Sequence, residues 1–387
     1  MRESFDSIRP SSASPRAENN NVRLPPCNTH HKANVTYVIP QYSLGRGPST
    51  AYKKIRWAVA LAIHLNMGTV AMPIEGHKTQ HKSSPIRFED TFDLDRLRQL
   101  IPVISPEEIA CVCDTSLQND AIRMVDYNKN SPHLRFEVVE LYPSLKYLDS
   151  HLPAFNNLLN VTMSQKNVHI RDVDFKTIYA SRPCINIIPY EMNFKDKNEV
   201  HKLVDQYLVR VKYIRDIAKL IVNNICGGNF AVMHWRNKTG ERCALFDMCS
   251  TTHFAHLPGL ADSVVPLIVT GVINIMKANK QTCLYIAKPN YEQAIVQVFR
   301  NSSLMVYTLE DIIETIPDLR KYIHDDYVIS LIEQEIAERV PLFISSRSSN
   351  WSFYVEYTRH IRHMKTIGLD EIPGLPKNIT EKYNQII

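Results

Sequence analysis

The chain has 387 residues, 44% of them hydrophobic and 22% charged, with a formal net charge of +5 from 45 basic and 40 acidic side chains. This is the composition of a folded globular protein, and the length predicts two domains of about 100–200 residues each. The charge is too mild and too dispersed to indicate nucleic acid as the main partner, although it suits an anionic small ligand. The cysteines form no C-x-x-C pair, so a structural zinc site is not expected.

Residues 1–32 are rich in Ser, Asn, Pro and Arg, and we expect them to be a disordered arm. They contain no apolar segment typical of a signal peptide. No run approaches the roughly 20 apolar residues of a membrane span. Cys243 and Cys249 are close enough in sequence to form a disulfide in an oxidising compartment, but free thiols are the alternative.

The ordered chain begins with a β-branched run at 35–39, followed by a Gly-rich loop at 41–50. Apolar residues at helical spacing predict a helix at 51–65, and a second strand follows at 69–72. Together these segments predict a β-α-β unit in a first domain at 33–215.

The middle of the first domain shows strand-like pieces at 109–113 and 134–141. Apolar residues spaced three and four apart predict one long amphipathic helix at 198–223. We place the junction with a second domain, 216–387, near this helix.

The second domain alternates between short apolar strands and amphipathic helices, a pattern typical of a parallel doubly wound sheet. The predicted strands are 230–235, 283–287, 304–307 and 342–345, and the predicted helices are 262–277, 291–300, 309–322, 325–339 and 350–364.

Two polar segments follow strands of this predicted sheet, at the edge where open α/β sheets bind ligands. His234, Trp235 and Arg236 end one strand. Arginine offers a rigid fork to phosphate oxygens, and histidine can add a hydrogen bond or a proton. Residues 345–351 (Ser-Ser-Arg-Ser-Ser-Asn-Trp) join another strand to a helix, whose N-terminal N–H groups favour anions. The alternatives are a surface His-x-Arg pair and a serine cluster that only caps the helix.

Asp93 and Asp95 spell the D-x-D pattern of metal-dependent glycosyltransferases. They lie among other charged residues, and we interpret them as part of a solvated charged face. No metal site is expected.

Three separated blocks resemble the GDP-fucose protein O-fucosyltransferase family. The segment 326–360, with its Ser-Asn-Trp-Ser-Phe turn at 349–353, is similar to the family's C-terminal signature. His-Trp-Arg at 234–236 is similar to the family's His-Leu-Arg motif. Gly-Arg-Gly at 45–47, together with the helix after it and the strand ending at 70–73, resembles the family's first Gly-rich loop and its surroundings.

This resemblance implies an α/β fold of two Rossmann-like domains that face each other across a cleft, the GT-B-type glycosyltransferase architecture. It implies metal-independent, inverting transfer of fucose from GDP-fucose to a Ser or Thr hydroxyl of a folded protein domain, with no cofactor. Arg236 would hold the diphosphate and stabilise the leaving GDP. The acceptor would enter near residues 45–50. The other residues implied in nucleotide-sugar binding are His234, Gly45, Arg46, Gly47, Ser348, Ser349, Asn350 and Trp351.

The sequence departs from the family pattern in the first loop, at Lys288 and at Asn350, where Thr is common in the family. The family's first loop carries an Asn or a Glu that handles the acceptor hydroxyl, and here neither is present; a neutral Ser49 or Thr50 would be a poor base. Glu75, just beyond the next strand, is our candidate catalytic residue beside Arg236. Lys288 stands where an acidic residue is usual in the family.

These departures leave two other functions open. The chain could be a catalytically impaired relative that binds a nucleotide or a protein partner. It could also be a transferase that uses another nucleotide sugar and a glycan acceptor. The resemblance implies the lumen of the endoplasmic reticulum or Golgi. Because residues 1–32 lack a signal peptide, we expect either that the true N-terminus is missing or altered, or that the protein is cytoplasmic.

Overall fold

The structure of the chain is a computed structural model. It describes residues 34–40, 48–79, 82–113, 120–125, 164–169, 183–188, 197–236, 257–289, 294–346 and 349–372.

Short strands alternate with helices along the described chain. The strands are β1 Tyr37–Pro40, β2 Gly68–Val70, β3 Ile74–Thr79, β4 Lys82–Ile86, β5 Val103–Ile104, β6 Asp120–Val125, β7 Ser164–His169, β8 Cys184–Ile188, β9 Ala231–His234, β10 Cys283–Ala287, β11 Met305–Tyr307, β12 Leu342–Ser345 and β13 Lys365–Gly368. The helices are α1 Pro48–Leu65, α2 Leu94–Arg98, α3 Ile109–Val112, α4 Lys197–Tyr207, α5 Lys212–Asn224, α6 Leu257–Ala278, α7 Ala294–Arg300, α8 Leu309–Ile313, α9 Asp326–Ala337 and α10 Asn350–Ile361.

The first part of the chain forms a parallel sheet. Within the described residues its six strands lie in the order β5-β2-β1-β8-β6-β7, and every pairing is parallel. The unit β1-α1-β2 forms as predicted, with α1 starting at Pro48, three residues earlier than expected. A proline suits this first helical position because it has no N–H to leave unpaired. Strands β3 and β4 form a separate antiparallel hairpin.

The second part forms another parallel sheet. Its described strands lie in the order β11-β10-β9-β12-β13, and all pairings are parallel. Numbered along the chain, this is the order 3-2-1-4-5 of a Rossmann sheet, in which the winding reverses between β9 and β12. An α/β fold with parallel sheets is therefore confirmed.

Both faces of the second sheet are covered. Val232 and Phe343 point into one apolar cluster, whereas their neighbours Met233 and Ile344 point into another. This alternation is expected for adjacent strand residues in a sheet packed on both sides. The first cluster also contains Val38 of β1, so it joins residues of both sheets.

Helix α9 contacts elements of both parts of the chain. Its residues from Tyr327 to Ala337 are almost all buried, and the Tyr327 hydroxyl lies 3.0 Å from the hydroxyl of Thr91 in the first part of the chain. The predicted domain boundary after residue 215 falls inside α5, which packs on α9. The two-domain division stays a prediction, and the expected arm at 1–32 lies outside the described residues.

Two disulfides that the sequence analysis did not identify join distant elements. Cys113 is bonded to Cys184 at the start of β8, with the Cα atoms 5.3 Å apart. Cys226, just after α5, is bonded to Cys283 at the start of β10, with the Cα atoms 6.5 Å apart. Both distances are normal for disulfides. Cys243 and Cys249 lie outside the described residues.

The prediction of a strand at 109–113 was wrong. This segment begins the helix α3, and the Glu108 carboxylate accepts a hydrogen bond of 2.7 Å from the Ser105 backbone N–H. A Ser followed three residues later by Glu is typical of a helix start, and this signal outweighed the apolar run that we interpreted as a strand.

The single helix predicted at 198–223 is two helices, α4 and α5. Between them Arg210 forms an antiparallel bridge with Phe92, and the Val211 N–H donates to the Thr91 carbonyl oxygen at 2.9 Å. A tertiary contact therefore interrupts a sequence with uniform helical periodicity. The last predicted helix, 350–364, ends at Ile361, and the chain then forms the edge strand β13.

Candidate functional site

The ends of β9 and β12 lie side by side where the second sheet reverses its winding. Met233 of β9 pairs with Ile344 of β12, and His234 pairs with Ala287 of β10 on the other side. Ligands of open α/β sheets bind in the crevice at this reversal point. The two polar segments predicted from the sequence, which follow β9 and β12, therefore meet at this edge.

His234 holds the end of β9 against the start of α10. Its Nδ1 lies 2.8 Å from the Ser352 hydroxyl oxygen. The imidazole stacks on the Trp351 indole, with the ring centres 4.2 Å apart and the planes 18° apart. The pKa of His234 is lowered to about 3, because burial disfavours the charged ring and because the positive charge of Arg236 is close. His234 is thus neutral near pH 7 and acts as a hydrogen-bonding group; the expectation that it could supply a proton is not supported.

Arg236 lies two residues beyond His234 and is half-buried. Its charge reaches the imidazole strongly enough to lower the pKa of His234. Since His234 in turn contacts Trp351 and Ser352 in the first turn of α10, the guanidinium-bearing end of β9 and the N-terminus of α10 belong to one region of the molecule.

The serines after β12 have different roles. Ser345 donates a hydrogen bond to the Glu356 carboxylate, and Ser349 caps α10, its hydroxyl oxygen accepting from the Trp351 N–H at 3.3 Å. The capping interpretation is therefore correct for Ser349. The Ser346 hydroxyl is fully buried and has no hydrogen-bond partner within the described part of the chain.

The start of α1 joins this region through a residue that the sequence analysis assigned no role. Gln334 of α9 is fully buried, and its side-chain nitrogen donates to the Ser49 hydroxyl at 2.8 Å and to the Trp351 carbonyl oxygen at 3.4 Å. In the sequence, Gln334 is a polar residue within a helical segment, 327–337, that the structure buries almost completely. Ser49, the second residue of α1, therefore lies close to the first turn of α10.

The charge at the end of β10 is balanced locally. Lys288 donates to the Glu310 carboxylate at 2.6 Å, and its side chain is 10% exposed. A carboxylate is therefore present at this edge of the sheet, although it follows β11 rather than β10.

Several predicted site residues cannot be placed in this region. Glu75 lies on β3 with its backbone paired to Pro85, and the structure does not describe its side chain. The residues outside the described ranges are Gly45, Arg46, Gly47 and Ser348.

Asp93 and Asp95 have separate structural partners. Asp93 caps α2 by accepting from the Arg96 N–H at 3.1 Å, and its other oxygen pairs with Arg215 at 2.7 Å. Asp95 is exposed and pairs with Arg98. In the described ranges, no three His, Cys, Asp or Glu side chains converge as metal ligands would.

The chain matches one family model and is similar in fold to several solved structures. The family model described as GDP-fucose protein O-fucosyltransferase matches residues 53–362. The crystal structure of the POFUT1 apo-form superposes with a TM-score of 0.57 at 14% identity, covering 87% of this chain and 99% of POFUT1. A crystal structure of POFUT1 in complex with GDP-fucose gives a TM-score of 0.57 at 14% identity, covering 88% and 99%. A comparison with curated proteins found no match. The structural similarity shows a shared fold, and the family match, which spans most of the chain, shows that this chain belongs to the GDP-fucose protein O-fucosyltransferase family.

Proposed function

We propose that this protein transfers fucose from GDP-fucose to a Ser or Thr hydroxyl of a folded protein domain, with inversion at the anomeric carbon. The observation that carries the proposal is the contact of His234 with Trp351 and Ser352. This contact brings the basic end of β9 to the N-terminus of α10, at the position where a Rossmann sheet binds nucleotides.

The donor diphosphate is proposed to lie between Arg236 and the start of α10. The guanidinium and the helix N-terminus would stabilise the charge that develops on GDP as it leaves. His234 and Trp351 would contact the nucleotide. The other proposed donor contacts are Gly45, Arg46, Gly47, Ser348, Ser349 and Asn350.

In the proposed reaction the bond between the anomeric carbon and the phosphate oxygen breaks, and GDP keeps the electron pair. A bond from the acceptor oxygen to the anomeric carbon forms on the opposite face. The hydroxyl proton passes to a base, for which we propose the Glu75 carboxylate, because β3 packs on α9, the helix whose Gln334 contacts Trp351. His234 is unsuited to this role, since its pKa of about 3 makes it a weak base.

The proposed reaction needs no metal, because Arg236 and the helix N-terminus supply the positive charge. The two parallel sheets are compatible with two Rossmann-like domains that face each other across a cleft, with the nucleotide bound by the second. We include this GT-B-type arrangement in the proposal.

We propose the lumen of the endoplasmic reticulum or Golgi as the site of action. The disulfides Cys113–Cys184 and Cys226–Cys283 support this location, because disulfides persist in oxidising compartments. In the part of the chain that the structure describes, none of the helices has the length and apolar character needed to cross a bilayer.

The proposed function is tested by the release of GDP from GDP-fucose in the presence of candidate acceptor domains. The Arg236→Ala variant should lose about 100- to 1000-fold in rate, the usual effect of removing one preorganised donor to a developing charge. Arg320→Ala is the matched control, because Arg320 is exposed on the turn between α8 and α9. Equal release by the wild type and Arg236→Ala would contradict the proposal, as would a preference for UDP-sugars in a donor panel. Binding of GDP without turnover on any acceptor would instead support a non-catalytic relative.

A further inference from the structure

Gln334 connects the starts of two helices from different parts of the chain. Besides its contacts with Ser49 in α1 and Trp351 in α10, its side-chain oxygen accepts from Arg210 Nη2 at 3.0 Å. Gln334 is fully buried. It cannot touch a bound nucleotide and could affect one only through the groups that it holds.

The direction of the Gln334 amide follows from its partners. A guanidinium can only donate hydrogen bonds, so the side-chain oxygen must face Arg210, which is itself buried. The NH₂ group must then face Ser49 and the Trp351 carbonyl. Because an NH₂ group can only donate, the Ser49 oxygen is the acceptor, and the Ser49 hydroxyl must direct its own proton to a different acceptor.

We propose that Gln334 is a positioning residue for the nucleotide. It holds the first turns of α1 and α10 together and orients the Ser49 hydroxyl as a donor to the diphosphate. This inference rests on the proposed function, since it assumes that the nucleotide lies at the start of α10. Ser49 is suited to the role because it is the second residue of α1, where backbone N–H groups also favour an anion.

The test is a substitution that keeps the shape of Gln334 but reverses its hydrogen bonding. In Gln334→Glu the carboxylate still accepts from Arg210, and it gains a charge pair with that buried guanidinium. It cannot donate to Ser49 or to the Trp351 carbonyl, and it would accept the Ser49 proton that we assign to the phosphate. We expect the dissociation constant for GDP, measured by calorimetry, to rise about 10- to 100-fold without a lower melting temperature.

Four further variants complete the experiment. Ser49→Ala should weaken GDP binding about tenfold, whereas Ser49→Thr keeps a hydroxyl and should bind GDP as the wild type does. The double variant Gln334→Glu/Ser49→Ala should be no weaker than Gln334→Glu alone, because Gln334 acts through Ser49. Gln281→Glu is the matched control: Gln281 is also buried and donates to Asn229 at 2.7 Å, but it precedes β10, at the opposite edge of the sheet.

The outcomes separate the two proposals. If the wild type does not bind GDP, the proposed function is wrong and this inference with it. If the wild type binds GDP and both Gln334→Glu and Ser49→Ala bind it equally well, only the inference is overturned. Should Gln334→Glu fail to fold, the test is the affinity of Ser49→Ala for GDP compared with that of Ser49→Thr. Equal affinities of these two variants overturn the inference.

Discussion

The ion pair between Arg56 and Asp205 should contribute strongly to stability. Arg56 Nε and Nη2 donate to the two Asp205 carboxylate oxygens at 2.5 and 2.8 Å, and the side chains are 10% and 11% exposed. Arg56 also donates to the Tyr357 hydroxyl of α10 and lies over that ring. Arg56→Ala would leave a nearly buried carboxylate paired with neutral tyrosine hydroxyls, those of Tyr52 at 2.8 Å and of Tyr357. Breaking such a pair costs about 3–5 kcal/mol. The partial exposure indicates the lower end, about 3 kcal/mol.

Denaturant unfolding of the full chain measures this cost. An exposed ion pair of the same chemistry provides the control. Arg300 also binds both oxygens of an aspartate, Asp311, at 2.9 and 2.8 Å, but those side chains are 37% and 35% exposed. Arg300→Ala should cost less than about 1 kcal/mol. A loss in Arg56→Ala no larger than in Arg300→Ala would refute the reasoning that burial makes this pair costly to break.

Three further predictions concern the disulfides and the buried titratable groups. The Cys226→Ser/Cys283→Ser variant opens a loop with a sequence separation of 57 and should lose about 4 kcal/mol in the free energy of unfolding; an unchanged denaturation midpoint would contradict the bond. Burial raises the pKa of Glu333 to about 8 from 4.5, even though Tyr285 donates a hydrogen bond to it. The folded state therefore binds the extra proton, and the stability of the wild type relative to Glu333→Gln should fall by about 1.4 kcal/mol per pH unit as the pH rises from 4.5 to 8; parallel stability curves would argue against a neutral carboxyl. The pKa of His234 is lowered from 6.5 to about 3, so the wild type should lose stability relative to His234→Asn as the pH falls from 6.5 to 3. Imidazole NMR resonances that titrate near pH 6.5 would refute this last prediction.

The second sheet could be predicted from the sequence almost completely. The predicted strands at 283–287 and 342–345 match β10 and β12 residue for residue. Buried parallel strands are continuous apolar runs, and the polar residues that follow them mark the edge where ligands bind. This local signal also identified His234 and Trp351, which the structure brings into contact.

Features that depend on distant parts of the chain could not be predicted. The break between α4 and α5 arises from backbone pairing of Arg210 with Phe92, and nothing in the helical periodicity indicates it. The partners of Gln334 are far away in sequence, so its role appears only when α1, α9 and α10 are packed together. The disulfide partners likewise could not be chosen, since eight cysteines allow many pairings and spacing alone does not select among them.

The most direct test of the central claim is a crystal structure of the protein with bound GDP. We expect the diphosphate oxygens to lie about 2.7–2.9 Å from the Arg236 guanidinium nitrogens and within hydrogen-bond distance of backbone N–H groups at the start of α10. A nucleotide bound elsewhere, or bound here with Arg236 turned away from the phosphates, would contradict the account.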